Sequence, residues 1–377
     1  MQPTRTNDAT WMRHAITLAR RAVGCTRPNP AVGCVIARDG AVLAEGFHPR
    51  AGAPHAEAMA LANCTVDPRG ATMYVTLEPC NHTGRTPPCS EAIIRAGIAR
   101  VVIGTCDPNP TAGGGIERLR AAGIEVTAGV LAHECRLIDP AFHLFHRLGR
   151  PMVTLKWAMT ADGCTSSASG DSKWISGEAS RQYVHQLRAE CDAILVGVST
   201  ALKDDARLTV RGVPGADLGA PRRRMVLDSG LSLPANHVLL SEQQGIATIV
   251  CTHAASNEAE DRLRCAGADV WRVDADAEGR VDLNALMERL KQERVQSLLV
   301  EGGRRVAGAF LAAGLVDRVV AFVAPTLLGG GENHLGALLQ SSPPLAMTQA
   351  VALKHAEWRL FDNDALLVGW CAEIAED

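Results

Sequence analysis

The chain has 377 residues, 47% hydrophobic and 21% charged, a balance that excludes disorder as the main state and fits about two domains at roughly 150 residues each. A formal net charge of -3 excludes a protein that wraps nucleic acid through a global positive field, and no apolar run approaches the roughly 20 residues of a membrane span. Aromatic residues, at 4%, are too few for the stacking platforms that hold single-stranded nucleic acid.

The opening Met1-Gln2-Pro3-Thr4-Arg5-Thr6-Asn7-Asp8 has no apolar core behind it, so no signal peptide is expected. The twelve cysteines then read as reduced cytoplasmic thiols, with any cluster among them assigned to a metal or to catalysis. Asp8 is expected to cap a helix over 9–23, where Trp11, Met12, Ala15, Ile16 and Ala19 recur at helical spacing. Runs 31–37 and 41–47 read as strands joined by an Asp39-Gly40 hairpin turn. A helix over 54–62, a strand over 72–77, a helix over 89–96 closed by Gly97 and a strand over 100–104 follow. A helix over 115–122 and a strand over 124–127 complete an α/β layer domain. The run 142–151 reads as a junction, after which the alternation restarts. Strands are expected at 152–158, 193–197, 225–227, 248–251, 270–273, 297–300 and 318–324, and helices at 178–189, 282–291 and 304–313. Segment 353–373 reads as two strands around Asp362-Asn363-Asp364, and no internal repeat is visible.

The first half carries a metal pattern. Pro54-His55-Ala56-Glu57 opens one helix, Glu78-Pro79-Cys80 closes a strand, and Pro87-Pro88-Cys89 opens the next helix. One imidazole and two thiolates are donors that tetrahedral zinc accepts, and three protein ligands leave a fourth position for water. Cys89 sits where the helix dipole favours a thiolate. Glu57 is not needed as a ligand and is free to shuttle protons, as in zinc deaminases. The alternative is a purely structural zinc. The eight residues between Cys80 and Cys89 depart from the P-C-x-x-C spacing of nucleic-acid deaminases.

The segment Thr76-Leu77-Glu78-Pro79-Cys80-Asn81-His82-Thr83-Gly84-Arg85-Thr86-Pro87-Pro88-Cys89 resembles the signature of the riboflavin-biosynthesis bifunctional deaminase/reductase (RibD) family. So do Arg27-Pro28-Asn29-Pro30-Ala31-Val32-Gly33-Cys34 and Asp107-Pro108-Asn109-Pro110. The resemblance implies that Asn29 holds the pyrimidine edge and that His82 and Arg85 touch substrate; solvated loop positions are the alternative for the last two. Gly113-Gly114-Gly115 reads either as a phosphate site at a helix start or as a plain turn and helix entry.

In the second half the dinucleotide fingerprint G-x-G-x-x-G is absent after the first strand. Instead Ser297-Leu298-Leu299-Val300-Glu301 runs into Gly302-Gly303 and a helix, which could bring backbone to a phosphate or form an ordinary loop. Segments 155–163, 169–176 and 204–211 resemble those of reductase domains with the dihydrofolate-reductase-like fold, Ala206 standing where those domains carry Pro. That resemblance implies NADPH contacts from Ala158, Trp174, Thr200, Asp204, Ser229, Gly303, Arg304, Arg305, Val306, Ala307, Gly308 and Ala309. It implies substrate contacts from Ser172, Arg188, Leu208, Arg211 and Glu301, with Arg207 a further candidate. Arginine forks suit phosphate, and carboxylates such as Asp204 and Glu301 suit sugar hydroxyls. The triplet Arg222-Arg223-Arg224 reads as a solvated strand edge or as an aid to a 2′-phosphate.

The fold class expected is therefore α/β: a cytidine-deaminase-like α/β/α zinc domain over 1–147 and a dihydrofolate-reductase-like NADPH domain over 148–377. The activities implied are deamination of a phosphorylated diaminopyrimidine and NADPH-dependent reduction of its ribosyl group. A cytoplasmic homo-oligomer with Zn2+ and NADPH as cofactors, a small-molecule substrate, and no nucleic-acid or membrane partner is expected. The competing readings are a nucleoside or tRNA deaminase with a fused nucleotide-binding domain, and a non-catalytic zinc/nucleotide sensor.

Overall fold

The computed structural model describes residues 5–83, 87–167, 169, 173–329 and 347–372. The chain divides into two compact units: Met1–Gly149 together with Gly215–Ala220, and Arg150–Pro214 together with Pro221–Asp377. Among the described residues, no helix is long and apolar enough to cross a membrane.

The first unit runs α1 (Arg5–Arg20), β1 (Gly33–Arg38), β2 (Ala41–Phe47), α2 (Ala56–Asn63), β3 (Thr72–Leu77), α3 (Cys89–Ala96), β4 (Arg100–Thr105), α4 (Gly115–Ala121), β5 (Glu125–Ala128), α5 (Ala132–Arg136) and α6 (Pro140–Leu148). Its sheet has the order β2-β1-β3-β4-β5, with β1 antiparallel to both neighbours and β3, β4 and β5 parallel. Strand alternation makes the three layers. Val35, Tyr74 and Val102 bury against Met12, Ala15 and Ala19 of α1, whereas Ile36, Met73, Val75 and Ile103 bury on the other face with Ala60, Ile93 and Leu119 of α2, α3 and α4.

Two expectations are corrected here. Asp8 does not cap α1; it lies inside the helix, buried, because Arg100 of β4 grips both its oxygens at 2.8 and 2.9 Å and the Tyr74 hydroxyl donates to it. The run 142–151 is not a mere junction. Asp139 caps α6 by accepting from Phe142 N, Pro140 occupies the first turn, and Gly149 ends the helix at φ 65.

The second unit runs β6 (Met152–Thr160), α7 (Glu178–Glu190), β7 (Ala193–Gly197), α8 (Val198–Asp204), β8 (Arg223–Leu227), α9 (Val238–Ser241), β9 (Ile246–Thr252), α10 (Asn257–Cys265), β10 (Asp269–Val273), α11 (Leu283–Gln292), β11 (Ser297–Gly302), α12 (Arg304–Ala312), β12 (Arg318–Ala324), β13 (Lys354–Phe361) and β14 (Asp364–Trp370). One sheet of order β10-β9-β8-β7-β11-β6-β12-β14-β13 carries them, parallel from β10 to β12, with β14 antiparallel to β12 and β13. Of the parallel strands, β7 is an apolar run buried throughout, and β11 and β12 are buried over most of their length, as cover on both faces requires.

The arginine triplet is the main correction in this unit. β8 lies between β7 and β9, so Arg224 is 1% exposed and donates to the carbonyls of Arg207, Leu239 and Glu242. Arg223 pairs with Asp269 at 2.6 Å and Glu293 at 3.0 Å and lies over the Trp271 ring, while Arg222 donates to the Ala189 carbonyl. A solvated edge is excluded. The guanidinium groups are committed to internal partners, which also removes the motive for assigning them to a 2′-phosphate.

Candidate active sites

His55 is the residue that starts α2, Cys80 follows β3, and Cys89 opens α3. Three element ends thus deliver three donors to one point. Cys80 Sγ and Cys89 Sγ lie 3.6 and 3.4 Å from His55 Nδ1, and the three donor atoms fall within 4.8 Å of one another. Ideal zinc bond lengths give tetrahedral N···S edges of about 3.5 Å, so the cluster fits zinc with His55 binding through Nδ1. It is the one cluster of this kind among the described residues.

The two thiols titrate as a pair. Cys80 is pulled down to about 4, first by the hydrogen bond from Cys89, which as donor is pushed up. The Cys89 backbone N–H also donates to Cys80 Sγ at 3.4 Å. A hydrogen bond with Cys80 raises His55. Glu57, in the first turn of α2 and 4% exposed, is pushed up to about 7 by burial. A carboxyl that can gain or lose a proton near neutrality beside a metal cluster is equipped for proton transfer.

Glu78 holds the Cys80 segment. Its Oε1 accepts from Gly114 N at 3.0 Å and Ile116 N at 3.1 Å, and its Oε2 from Asp107 N at 3.2 Å. The N–H groups at the start of α4 therefore already bind a carboxylate of the protein, so the phosphate alternative for 113–115 gives way to the turn. Gly115 is required there, since a Cβ would stand 1.8 Å from the Pro79 carbonyl oxygen.

Asn29 reaches this site through a residue that the motif reading passed over. Asn29 Nδ2 lies 3.1 Å from His48 Nε2, and His48 Nδ1 lies 2.9 Å from the Pro54 carbonyl. A carbonyl only accepts, so Nδ1 carries the proton and Nε2 accepts from Asn29. Burial lowers the His48 pKa and favours this neutral form. The Asn29 amide is thereby oriented, with Oδ1 left to accept from a ligand. The His48 ring meets His55 edge to face at 5.3 Å between centroids. The usable signal was its position at the end of β2, seven residues before His55. His82 is exposed two residues beyond Cys80, and Arg85 lies outside the described residues.

In the second unit, the expected cofactor residues gather at the carboxyl ends of parallel strands, where open α/β sheets bind ligands. Ala158 is near the end of β6, Thr200 follows β7, Ser229 follows β8, and Gly303 follows β11. Gly303 has φ 82, and a Cβ on it would stand 3.0 Å from the Thr200 hydroxyl; one on Gly197 would stand 2.9 Å from a Val306 methyl. Each glycine thus lies closely under a neighbouring side chain. Arg304 and Arg305 are exposed at the start of α12, and Ala309 is partly buried. Ala307 and Gly308 are buried, with Ala307 in the core, and the structure does not bring them to the surface of this site. Ser229 Oγ accepts from Val281 N, the Asp204 carbonyl accepts from Lys173 Nζ, and Trp174 is 70% exposed with Arg181 over its ring at 4.8 Å.

Several of the expected substrate groups are engaged with internal partners. Arg188 forks onto Glu301 at 2.5 and 2.8 Å and donates to the Thr209 carbonyl at 2.9 Å. Glu301 is therefore foremost an acceptor for Arg188, which holds its carboxyl below the usual range against the opposing effect of burial. Arg211 N donates to His185 Nδ1 at 3.3 Å. Leu208 is 3% exposed at φ 54 with its side chain in the core, so only its backbone is available. Arg207 pairs with Glu242. Lys156, partly buried on β6 and lowered by desolvation against the pull of Glu301, was not singled out from the sequence. Ser172 lies outside the described residues.

Residues 5–105 match the family model for the cytidine and deoxycytidylate deaminase zinc-binding region, and residues 151–367 match that for the RibD C-terminal domain. The chain is 44% identical to the riboflavin biosynthesis protein RibD of Aquifex aeolicus over 325 residues, 86% of this chain and 88% of that one. It is 41% identical to the Escherichia coli RibD over 342 residues, 88% and 91% of the two chains. Among solved structures, Acinetobacter baumannii RibD superposes with a TM-score of 0.85 at 36% identity, over 97% of this chain and 99% of that one. A diaminohydroxyphosphoribosylaminopyrimidine deaminase/5-amino-6-(5-phosphoribosylamino)uracil reductase from Thermotoga maritima superposes with a TM-score of 0.82 at 35% identity, over 97% and 98%.

Proposed function

The chain belongs to the RibD family, and from that premise we propose that it catalyses two steps of riboflavin biosynthesis. Residues 1–147 deaminate 2,5-diamino-6-(5-phosphoribosylamino)pyrimidin-4-one, and residues 148–377 reduce the resulting aminouracil to its ribitylamino form. The observation that carries the reading is the His55, Cys80 and Cys89 cluster with the buried carboxyl of Glu57 beside it.

For deamination, His55 Nδ1 and the two sulfurs would hold a zinc ion, which would supply a water acidified to a pKa of about 7. Glu57 receives the proton of the attacking water and passes it to the departing amine, so that water and substrate become the carbonyl product and ammonia. Asn29, turned by His48, accepts from the pyrimidine edge, and His82 and Arg85 meet the rest of the substrate. Burial of Glu57 serves this role, because a carboxyl near pKa 7 is effective as both acceptor and donor at neutral pH.

For reduction, NADPH when bound would supply the hydride taken up by the sugar C1. The Gly302-Gly303 turn and the start of α12 hold the cofactor's phosphates, with Thr200, Ser229 and Ala158 along the neighbouring strand ends. Arg188 and Glu301 act as one braced pair that fixes the loop carrying Thr209 and Arg211, and Arg211 with Ser172 meets the sugar phosphate. The location is cytoplasmic, and the assembly is a homo-oligomer. Trp358 and Leu360, 65% and 80% exposed on strand β13 at one end of its sheet, support a second copy pairing there.

Incubating the zinc-loaded protein with the diaminopyrimidine phosphate tests the reading. Ammonia release without NADPH, followed by NADPH oxidation when it is added, is the expected result. Absence of ammonia release overturns the deaminase assignment, and absence of oxidation with the aminouracil overturns the reductase assignment.

A further inference from the structure

The turn that presents Asn29 cannot hold itself. Pro28 and Pro30 flank the residue and fix their own φ, but neither offers a backbone N–H. Asn29 N donates to the Thr26 carbonyl at 2.9 Å, which closes the turn without anchoring it to the unit.

A carboxylate more than a hundred residues away ties both flanks of the turn to the unit. Asp139 Oδ2 accepts from Arg27 Nη1 at 2.6 Å on one side of the turn and from Ala31 N at 3.4 Å on the other. Its Oδ1 accepts from Phe142 N at 3.3 Å, the cap of α6. Arg27 and Asp139 are 7% and 3% exposed. One buried group thus grips both flanks of Pro28-Asn29-Pro30 and ties them to a helix start. From Asn29 the chain of contacts continues to His48, the Pro54 carbonyl and the His55 ring. A shift at either flank moves the Asn29 amide relative to the metal ligands.

We propose that Asp139 is a positioning residue for deamination, acting through Asn29: it sets where the Asn29 carbonyl meets the pyrimidine and touches neither substrate nor metal. This rests on the deaminase reading of the His55, Cys80 and Cys89 site. Asp139 therefore governs substrate recognition more than the chemical step.

Deaminase kinetics on the full-length, zinc-loaded chain test the proposal. Asp139→Ala is expected to raise KM for the diaminopyrimidine phosphate about tenfold while kcat falls less than about threefold. Zinc content and reduction of the aminouracil stay at wild-type levels. Asn29→Ala raises KM similarly, and Asp139→Ala adds nothing to it in the double variant, whereas independent effects would multiply. Asp139→Asn, which keeps an acceptor oxygen for Arg27, brings KM back to within about threefold of wild type. A KM for Asp139→Ala within about twofold of wild type, or effects that multiply, overturns the proposal. If Asp139→Ala does not yield zinc-loaded soluble protein, Arg27→Ala removes the pair while leaving the Phe142 cap, and is judged by the same criteria. A wild-type chain that releases no ammonia overturns the deaminase reading and the proposal with it. Active wild type with an unresponsive Asp139 overturns the proposal alone.

Discussion

The two units build their sites in opposite ways. In the first, three donor side chains converge within 4.8 Å of one another, with two sulfurs and an imidazole nitrogen as the donor set that zinc accepts. In the second, charged side chains are taken up by internal ion pairs: the expected substrate groups Arg188 and Glu301 hold each other, Arg207 pairs with Glu242, and Arg223 of the triplet pairs with Asp269 and Glu293. Ligands there must be met by what remains, namely strand-end backbone, hydroxyls and a few exposed cations. A metal site concentrates chemistry in side chains, while a cofactor site built on a parallel sheet distributes it over backbone that side-chain pairs brace.

That contrast breaks most sharply at Glu57. Glu57→Gln should keep about one zinc per chain and lose deamination by 10²–10⁴-fold or more, with aminouracil reduction unchanged. Metal analysis and the two separate assays check it, and normal ammonia release by this variant would sink the proton-shuttle role. The second unit should instead fail by losing its bracing. Glu301→Gln leaves Arg188 without its countercharge in a largely buried setting and should cost about 3–5 kcal/mol of stability. Urea unfolding followed by a probe confined to the second unit measures this, with zinc retention as a check on the first.

Arg211 sharpens the comparison at a smaller scale. A charge-assisted bond to phosphate contributes roughly 1.5–3 kcal/mol, so Arg211→Ala should lower reductase kcat/KM about ten- to a hundred-fold on the phosphorylated substrate. The dephosphorylated analogue should be nearly indifferent to the change. Equal small losses on both would reject the phosphate contact. The smallest effect expected is a pH dependence at Asp139. Burial alone would raise this carboxyl, but Arg27 and the Phe142 N–H outweigh it and hold it below its ordinary value. A depressed carboxyl stabilises the fold fully above the unfolded pKa of about 4 and loses that contribution as pH falls through the folded value. The stability difference between wild type and Asp139→Ala should therefore narrow below about pH 4, as measured by denaturant unfolding across that range.

Legibility follows the same division. His55, Cys80 and Cys89 could be read because ligand chemistry needs those residue types at element ends, and the alternation of apolar runs placed the ends. His48 escaped because its one sequence signal, a place at the end of β2 seven residues before His55, does not by itself name a partner; its role arises from a contact with Asn29 across the unit. The arginine triplet misled because charge in a strand ordinarily means solvent, whereas β8 sits inside its sheet and the surrounding elements offer carbonyls or carboxylates to each guanidinium. The helix over 140–148 carried its Asp-Pro start and glycine stop in plain view, yet interleaved histidines blurred its apolar period. Asp139 could be read from the sequence as nothing more than a cap, since its hold on Arg27 and Ala31 is a long-range contact.

Glu78 has a consequence for how this chain can change over time or be re-engineered. Its carboxylate occupies the start of α4 while the Pro79 carbonyl presses on Gly115 with no room for a methyl group. The loop that bears Cys80 and the glycine turn some thirty residues later thus form one heritable part. A graft that moves either without the other breaks both, and variation in the metal-bearing loop is open only to changes that the glycine turn can follow.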